Sequence, residues 1–144
     1  MDNLLELAHM LGSYAICGEG NVSMKDNDCF WVKASGTSLD TLSKADLVAC
    51  KMSGVPFDSL GLKPSIETGF HAWLQREFDA IKFVAHTHPP KTMEVVCSEQ
   101  IHSFAEHRLF PDQVVRNGAK SCVVPYAMPG KPLLEAIKKS VAEF

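Results

Sequence analysis

The 144-residue sequence contains no apolar run near the roughly 18 residues that a membrane-spanning helix requires. Its first turns carry Asp2 and Glu6 and no Lys or Arg before Leu11, so the cationic start of a secretory leader is lacking. An excess of positive charge is lacking too. Lys and Arg number 14 against 17 Asp and Glu, a net charge of −3, and the basic residues are scattered, which offers no footprint for nucleic acid. Neither a membrane nor a nucleic acid is therefore an expected partner. There is no C-x-x-C pair among the five cysteines, and an odd, widely spaced set argues against a disulfide framework or a structural zinc knot. With apolar neighbours, as in Ala49-Cys50 and Cys122-Val123, these thiols are expected to be buried and inert in a reducing cytoplasm. Internal repeats, low-complexity tracts and charged linkers are absent as well, so one domain over 1–144 is expected.

Apolar periodicity supplies the elements that are present. Leu4, Leu5, Leu7, Ala8, Leu11, Tyr14 and Ala15 recur at helical spacing, predicting an amphipathic helix over 4–16 that stops at Gly18-Glu19-Gly20. Residues 21–24 and 29–33 read as a hairpin around the polar turn Asp26-Asn27-Asp28. Ser43 caps a short helical turn over 44–47, and a strand follows over 48–52. Residues 53–64 read as loop, rich in Gly, Pro and Ser. A helix begins after Ser65 and carries Phe70, Trp73, Leu74 and Phe78. A buried strand over 81–86 ends at His88-Pro89-Pro90, whose prolines forbid a continuing ladder. A helix over 92–106, a strand over 119–125 and a last helix over 133–141 complete the prediction. Strands interspersed with helices make the chain α/β.

Four local signals carry chemistry. His86-Thr87-His88 ends an apolar strand, where side chains at i and i+2 share a face and two imidazoles can converge on one metal ion. A solvent-exposed pair of strand-end histidines would show the same pattern. Glu67 enters a helix, where the helix dipole favours a carboxylate by about 0.3–1 kcal/mol. It is either a simple first-turn acid or a base held near a metal, able to move a proton next to a carbonyl. Gly18-Glu19-Gly20-Asn21-Val22-Ser23 and Ala34-Ser35-Gly36-Thr37 are glycine-containing turns suited to cradling an anion through backbone N–H groups. Neither has the glycine spacing of a Walker A loop or a dinucleotide fingerprint.

In chain order, Gly20-Asn21-Val22-Ser23, Trp31-Val32-Lys33-Ala34-Ser35-Gly36-Thr37, Pro64-Ser65-Ile66-Glu67 and His86-Thr87-His88-Pro89 resemble the successive motifs of the class II (zinc-dependent) aldolases. Phe110-Pro111-Asp112-Gln113-Val114-Val115 and Val124-Pro125-Tyr126-Ala127-Met128-Pro129-Gly130 extend the resemblance to this aldolase/adducin family. The wording is nearest the branch related to rhamnulose-1-phosphate aldolases. The resemblance implies a three-layer α/β/α domain with a mainly antiparallel central sheet. It implies Zn2+ held by His86 and His88 as two of three histidines, with Glu67 as the catalytic acid/base. Gly20, Asn21, Ser35, Gly36 and Ser65 fall on positions that bind the substrate's phosphate, while Ile66 stands where the family has a second small hydroxyl residue.

The implied reaction is metal-dependent aldol cleavage of a sugar phosphate, a retro-aldol step through a zinc-stabilised enediolate. A pentulose-phosphate 4-epimerase and a non-catalytic, adducin-like association domain are the alternatives. The resemblance also implies a homo-oligomer, a tetramer in the family, with sites at subunit interfaces. Imidazole ligation and the Irving–Williams order make zinc the expected metal. The family's third zinc histidine lies past the helix that follows Pro129-Gly130, beyond Phe144. The C-terminal part of the domain is thus expected to be missing, and zinc binding and cleavage to be impaired.

Overall fold

The structure, a computed structural model, describes residues 1–57 and 61–144 and, for Cys17, the backbone only. Residues 58–60 of the expected 53–64 loop lie outside the described residues.

Four strands form one antiparallel sheet: β1 (Asn21–Asp26), β2 (Cys29–Lys33), β3 (Leu47–Lys51) and β4 (Phe83–His86), in the order β3-β2-β1-β4. Asn27 closes the β1–β2 turn at φ 52°, a left-handed conformation that Asn tolerates better than most residues. The register sets Ser23 opposite both Val32 and Val84, and Asn21 opposite His86. Because side chains alternate across a strand, the two faces separate cleanly. Val22 and Met24, with Phe83, meet Leu4 and Ala8 of helix α1 (Asp2–Leu11), and Leu39, Leu42 and Leu47 close that core. Phe30, Val32, Val48 and Cys50 turn the other way, onto Ala72 of helix α2 (Thr68–Glu77). The result is a three-layer α/β/α arrangement with the sheet in the middle. Helices α3 (Pro90–Val96), α4 (Ile101–Glu106), α5 (Pro111–Asn117) and α6 (Lys131–Glu143) follow, and α6 lies against α2. Among the described residues no helix is long and apolar enough to cross a membrane.

Tertiary contacts altered several expected elements. α1 stops at Leu11, not at residue 16, and gives way to single 3-10 turns at Gly12–Tyr14 and Ile16–Gly18. Gly12 packs so closely on Asp40 that a Cβ would lie 2.6 Å from the Asp40 Cβ. The helix expected over 92–106 is broken in two at residues 97–100. There Ser98 Oγ donates to Val95 O (2.8 Å) and accepts Gln100 N–H (3.1 Å), a side chain competing with the helical ladder. Residues 119–125 form no strand. Their β-branched pattern suits a sheet, but strand formation depends on neighbours, and none of the four strands pairs with them. Of the described cysteines only Cys50 is fully buried, while Cys29 and Cys122 are half-buried and Cys97 is exposed where α3 ends. Burial, helped by nearby Cys29, pushes the Cys50 thiol up to about 11.

Candidate functional site

The site grows from one end of the sheet, where the apolar face above α2 turns polar. Asn21 and Ser23 on β1, and His71 and Gln75 on α2, are all buried. Asn21 lies opposite His86, so the β1–β4 register alone brings the glycine turn to the first histidine. Glu67 sits at the N-cap position of α2 but does not cap it. Its side chain turns inward, 9% exposed with the rest of the residue, and one oxygen, Oε2, accepts both Asn21 Nδ2–H (2.6 Å) and His86 Nδ1–H (2.6 Å). His88, two residues past the strand register, meets Glu19 Oε2 through its own Nδ1 at 2.7 Å.

Both imidazoles therefore have Nδ1 on a carboxylate, which fixes the proton there and leaves the Nε2 lone pairs outward. The two Nε2 atoms face each other 3.1 Å apart. A tetrahedral ion with 2.0–2.1 Å bonds would hold two nitrogens about 3.3 Å apart. Donor type, tautomer and spacing thus fit two ligands of a divalent cation. Among the described residues no third His, Cys, Asp or Glu joins them.

The second candidate anion turn, Ala34–Thr37, is tied to the Pro64-Ser65 segment that precedes α2. Ser35 N–H donates to Lys63 O (2.8 Å) and Ser65 N–H to Lys33 O (3.1 Å), around a bridge between Ala34 and Pro64. Gly36, at φ +82°, faces open space, with nothing within 4 Å of where a Cβ would point. Ser65 Oγ accepts Glu67 N–H at 3.3 Å, so the same turn sets the start of α2 and the Glu67 backbone. Gly20, Asn21, Ser35, Gly36, Ser65, Glu67, His86 and His88 all line one cavity of about 490 Å3. Volume does not single it out, since a cavity of about 470 Å3 lies between α4, residues 120–123 and the end of α6. The convergence of polar groups does.

Gly20 has a specific reason to be glycine. It sits at φ +87°, and a Cβ would come within 2.7 Å of His86 O. Gly20→Ala is expected to destabilise the fold by about 1–3 kcal/mol from backbone strain, and further through the clash with β4. Denaturant unfolding checks this, and a midpoint unchanged from the parent would contradict it.

Charge in the cavity is balanced by burial and contact. Burial pushes the Glu67 carboxyl up, but the His86 contact and the Asn21 hydrogen bond outweigh it, and the group titrates below its ordinary value. Glu67 is therefore a carboxylate at neutral pH. Lys33, 4% exposed, reaches the same cavity and donates to Thr37 O (2.5 Å) and Ala34 O (3.3 Å). Burial lowers its pKa and Asp46 partly restores it. The sequence pattern singles out neither Lys33 nor Glu19 as a site group. Both stand inside quoted motifs, but only the folded chain turns them into the cavity. Ile66, Tyr126, Ala127, Pro129 and Leu133 supply the rest of the cavity lining.

A histidine pair, a buried carboxylate and two candidate anion turns thus converge on one cavity of a layered α/β/α domain. The chain belongs to the class II aldolase and adducin family, whose N-terminal domain model matches residues 4–143. It is 27% identical over 175 aligned positions to an uncharacterised oxidoreductase, YuxG, of Bacillus subtilis (strain 168), covering 99% of this chain and 24% of that protein. It is 38% identical over 71 residues to the Mycoplasma pneumoniae protein named "Probable L-ribulose-5-phosphate 4-epimerase UlaF", covering 48% of this chain and 29% of that one. The crystal structure of YgbL from Escherichia coli superposes with a TM-score of 0.82 at 25% identity, over 96% of this chain and 68% of that chain. Other relatives are named L-fuculose phosphate aldolase and methylthioribulose-1-phosphate dehydratase. The family thus includes aldolases, epimerases and dehydratases of phosphorylated sugars. The chain spans about a quarter to just over half the length of the curated relatives YuxG, UlaF and a 3-oxo-tetronate 4-phosphate decarboxylase.

Proposed function

We propose that residues 1–144 form one class II aldolase domain whose cavity carries out metal-dependent aldol cleavage of a sugar phosphate. The observation that carries this reading is the pair of Nε2 atoms 3.1 Å apart beside a buried carboxylate, in the cavity that also holds both anion turns. His86 and His88 would hold the ion, and Zn2+ there would act as a Lewis acid toward a carbonyl oxygen, worth several kcal/mol of charge stabilisation. Glu67, ionised and within reach of the same space, would carry the proton taken from or returned to the reacting carbon. Gly20, Asn21, Ser35, Gly36 and Ser65 would bind the phosphate and fix the substrate's pose, with buried Lys33 adding positive charge to that wall. Ile66 offers no hydroxyl, and the Ser35 and Ser65 N–H groups already donate to Lys63 O and Lys33 O, so phosphate recognition would rest on the Ser35 and Ser65 hydroxyls and the Gly36 backbone. The motif wording favours deoxyketose phosphates of the rhamnulose type.

A homo-oligomer is the assembly we favour, because Leu109, Val115 and Tyr126 are 82–90% exposed and apolar surface of this kind marks contact sites. The unpaired cysteines among the described residues suit a reducing cytoplasm.

Two measurements test the function. The zinc-supplemented chain, given ketose 1-phosphates, is expected to release an aldehyde detectable with a coupled dehydrogenase. Interconversion of pentulose 5-phosphates without aldehyde release would instead establish the epimerase reading, and neither activity would leave an association domain. His86→Ala is expected to weaken zinc binding by more than the 10–100-fold typical of losing an outer partner, read by competition with a chromophoric chelator. Zinc affinity equal to the parent's would remove the metal site.

A further inference from the structure

We propose that Glu19 is a positioning residue for His88: its carboxylate locks the His88 proton on Nδ1 and aims Nε2 at the cavity. The inference rests on the metal reading of the histidine pair. Glu19 stands between Gly18 (φ +76°) and Gly20 (φ +87°), in extended conformation, with its N–H on Ile16 O at 2.9 Å. The turn lies directly on the end of β4, because Gly20 has no Cβ to strike His86 O. From there the 14–20 segment grips His88 twice. Tyr14 O accepts the His88 backbone N–H (2.8 Å), and Glu19 Oε2 accepts Nδ1–H (2.7 Å).

Stability gives no reason for this pair. The Glu19 side chain is 61% exposed, and exposed ion pairs contribute between nothing and about 1 kcal/mol. Its effect falls on the ring. A solvated neutral imidazole favours the Nε2–H form, which would put a proton in the 3.1 Å gap to His86 Nε2 where a cation belongs. With Nδ1–H held by Glu19, that gap is bounded by lone pairs. Glu67 does the same to His86, so each ring is oriented by a different element, Glu67 lying 19 positions before His86 and Glu19 lying 69 positions before His88. Glu19 cannot also be a ligand while it bonds Nδ1, because that nitrogen points away from Nε2 across the ring.

The test uses the purified 144-residue chain and its Glu19→Ala, Glu19→Gln and His88→Ala variants. In metal-free, 15N-labelled protein, long-range imidazole spectra are expected to show His88 as Nδ1–H in the parent and as Nε2–H in Glu19→Ala. Glu19→Gln, whose amide oxygen still accepts Nδ1–H, is expected to keep the parent tautomer. Zinc affinity, by chelator competition, is expected to fall 10–100-fold in Glu19→Ala and less in Glu19→Gln, with thermal unfolding unchanged. A Glu19→Ala chain with the parent tautomer and parent affinity would overturn the proposal. The two readings fail differently. If His88→Ala binds zinc like the parent, the metal reading falls while the tautomer still decides the Glu19 contact. If His88→Ala loses zinc and Glu19→Ala does not, positioning by Glu19 falls alone.

Discussion

Glu67→Ala is expected to lower turnover of the cleaved sugar phosphate by about 100- to 10,000-fold, the usual contribution of a positioned proton-transfer group. The loss should appear mainly in kcat, because the Ser35 turn and the Ser65 segment are tied to each other by backbone bonds that do not involve the Glu67 side chain, and only Asn21 among the proposed phosphate residues loses a partner. Glu67→Gln is the sharper variant. It can still accept from His86 Nδ1–H, as the carboxylate does at 2.6 Å, so His86 Nε2 keeps its orientation while the proposed proton carrier is lost. Zinc affinity near the parent's with kcat reduced as in Glu67→Ala would separate proton transfer from metal orientation. Retention of full kcat in Glu67→Gln would show that Glu67 only orients His86. The His86 and Asn21 contacts hold the group below its ordinary value against the upward push of burial, which keeps it in the ionised form that accepting a proton requires.

The second large effect concerns His71 and acid. His71 is 0% exposed, with Nδ1 2.7 Å from Ser23 Oγ, and its Nε2 has no partner among the described residues. Burial depresses its pKa from 6.5 to about 3, with His86 adding to the fall and Glu67 opposing it. The folded chain therefore resists protonating His71, while the unfolded chain takes up the proton near pH 6.5. Stability from this group is complete above that pH and is lost as pH falls toward about 3, at about 1.4 kcal/mol per pH unit. Between pH 7 and 5 the loss amounts to about 2 kcal/mol. Urea unfolding at pH 7, 6 and 5 measures it. The double variant Ser23→Ala/His71→Leu removes both partners together, which avoids stranding the serine hydroxyl, and is expected to flatten the slope. An equal slope in parent and double variant would assign the acid sensitivity to other groups.

Much of the architecture was legible from local pattern. The hairpin around Asn27, the helical turn that Ser43 opens, and the helix expected after Ser65, which begins at Thr68 with Glu67 at its N-cap, depend on neighbours within a few residues. Elements that depend on distant partners were not legible. A β-branched run such as 119–125 looks like a strand, yet it needs a strand beside it to become one. The break in the 92–106 helix has a local cause instead, the Ser98 hydroxyl competing with the backbone ladder. The cysteines show the same limit, since apolar neighbours in sequence placed Cys97 in a core that the break after α3 turned outward.

The sequence by itself determined which chemistries were available: two imidazoles two residues apart at the end of a strand, a carboxylate at a helix start, and glycine turns free to take positive φ. Those follow from residue type and short spacing. Only the tertiary structure decided which groups face each other. Glu19 meets His88 across 69 positions, and Asn21 meets Glu67 across 46. Such pairings are set by antiparallel register and by the packing of α2 on the sheet, so they depend on the burial of Phe30, Val32 and Ala72 rather than on the residues that make the contact.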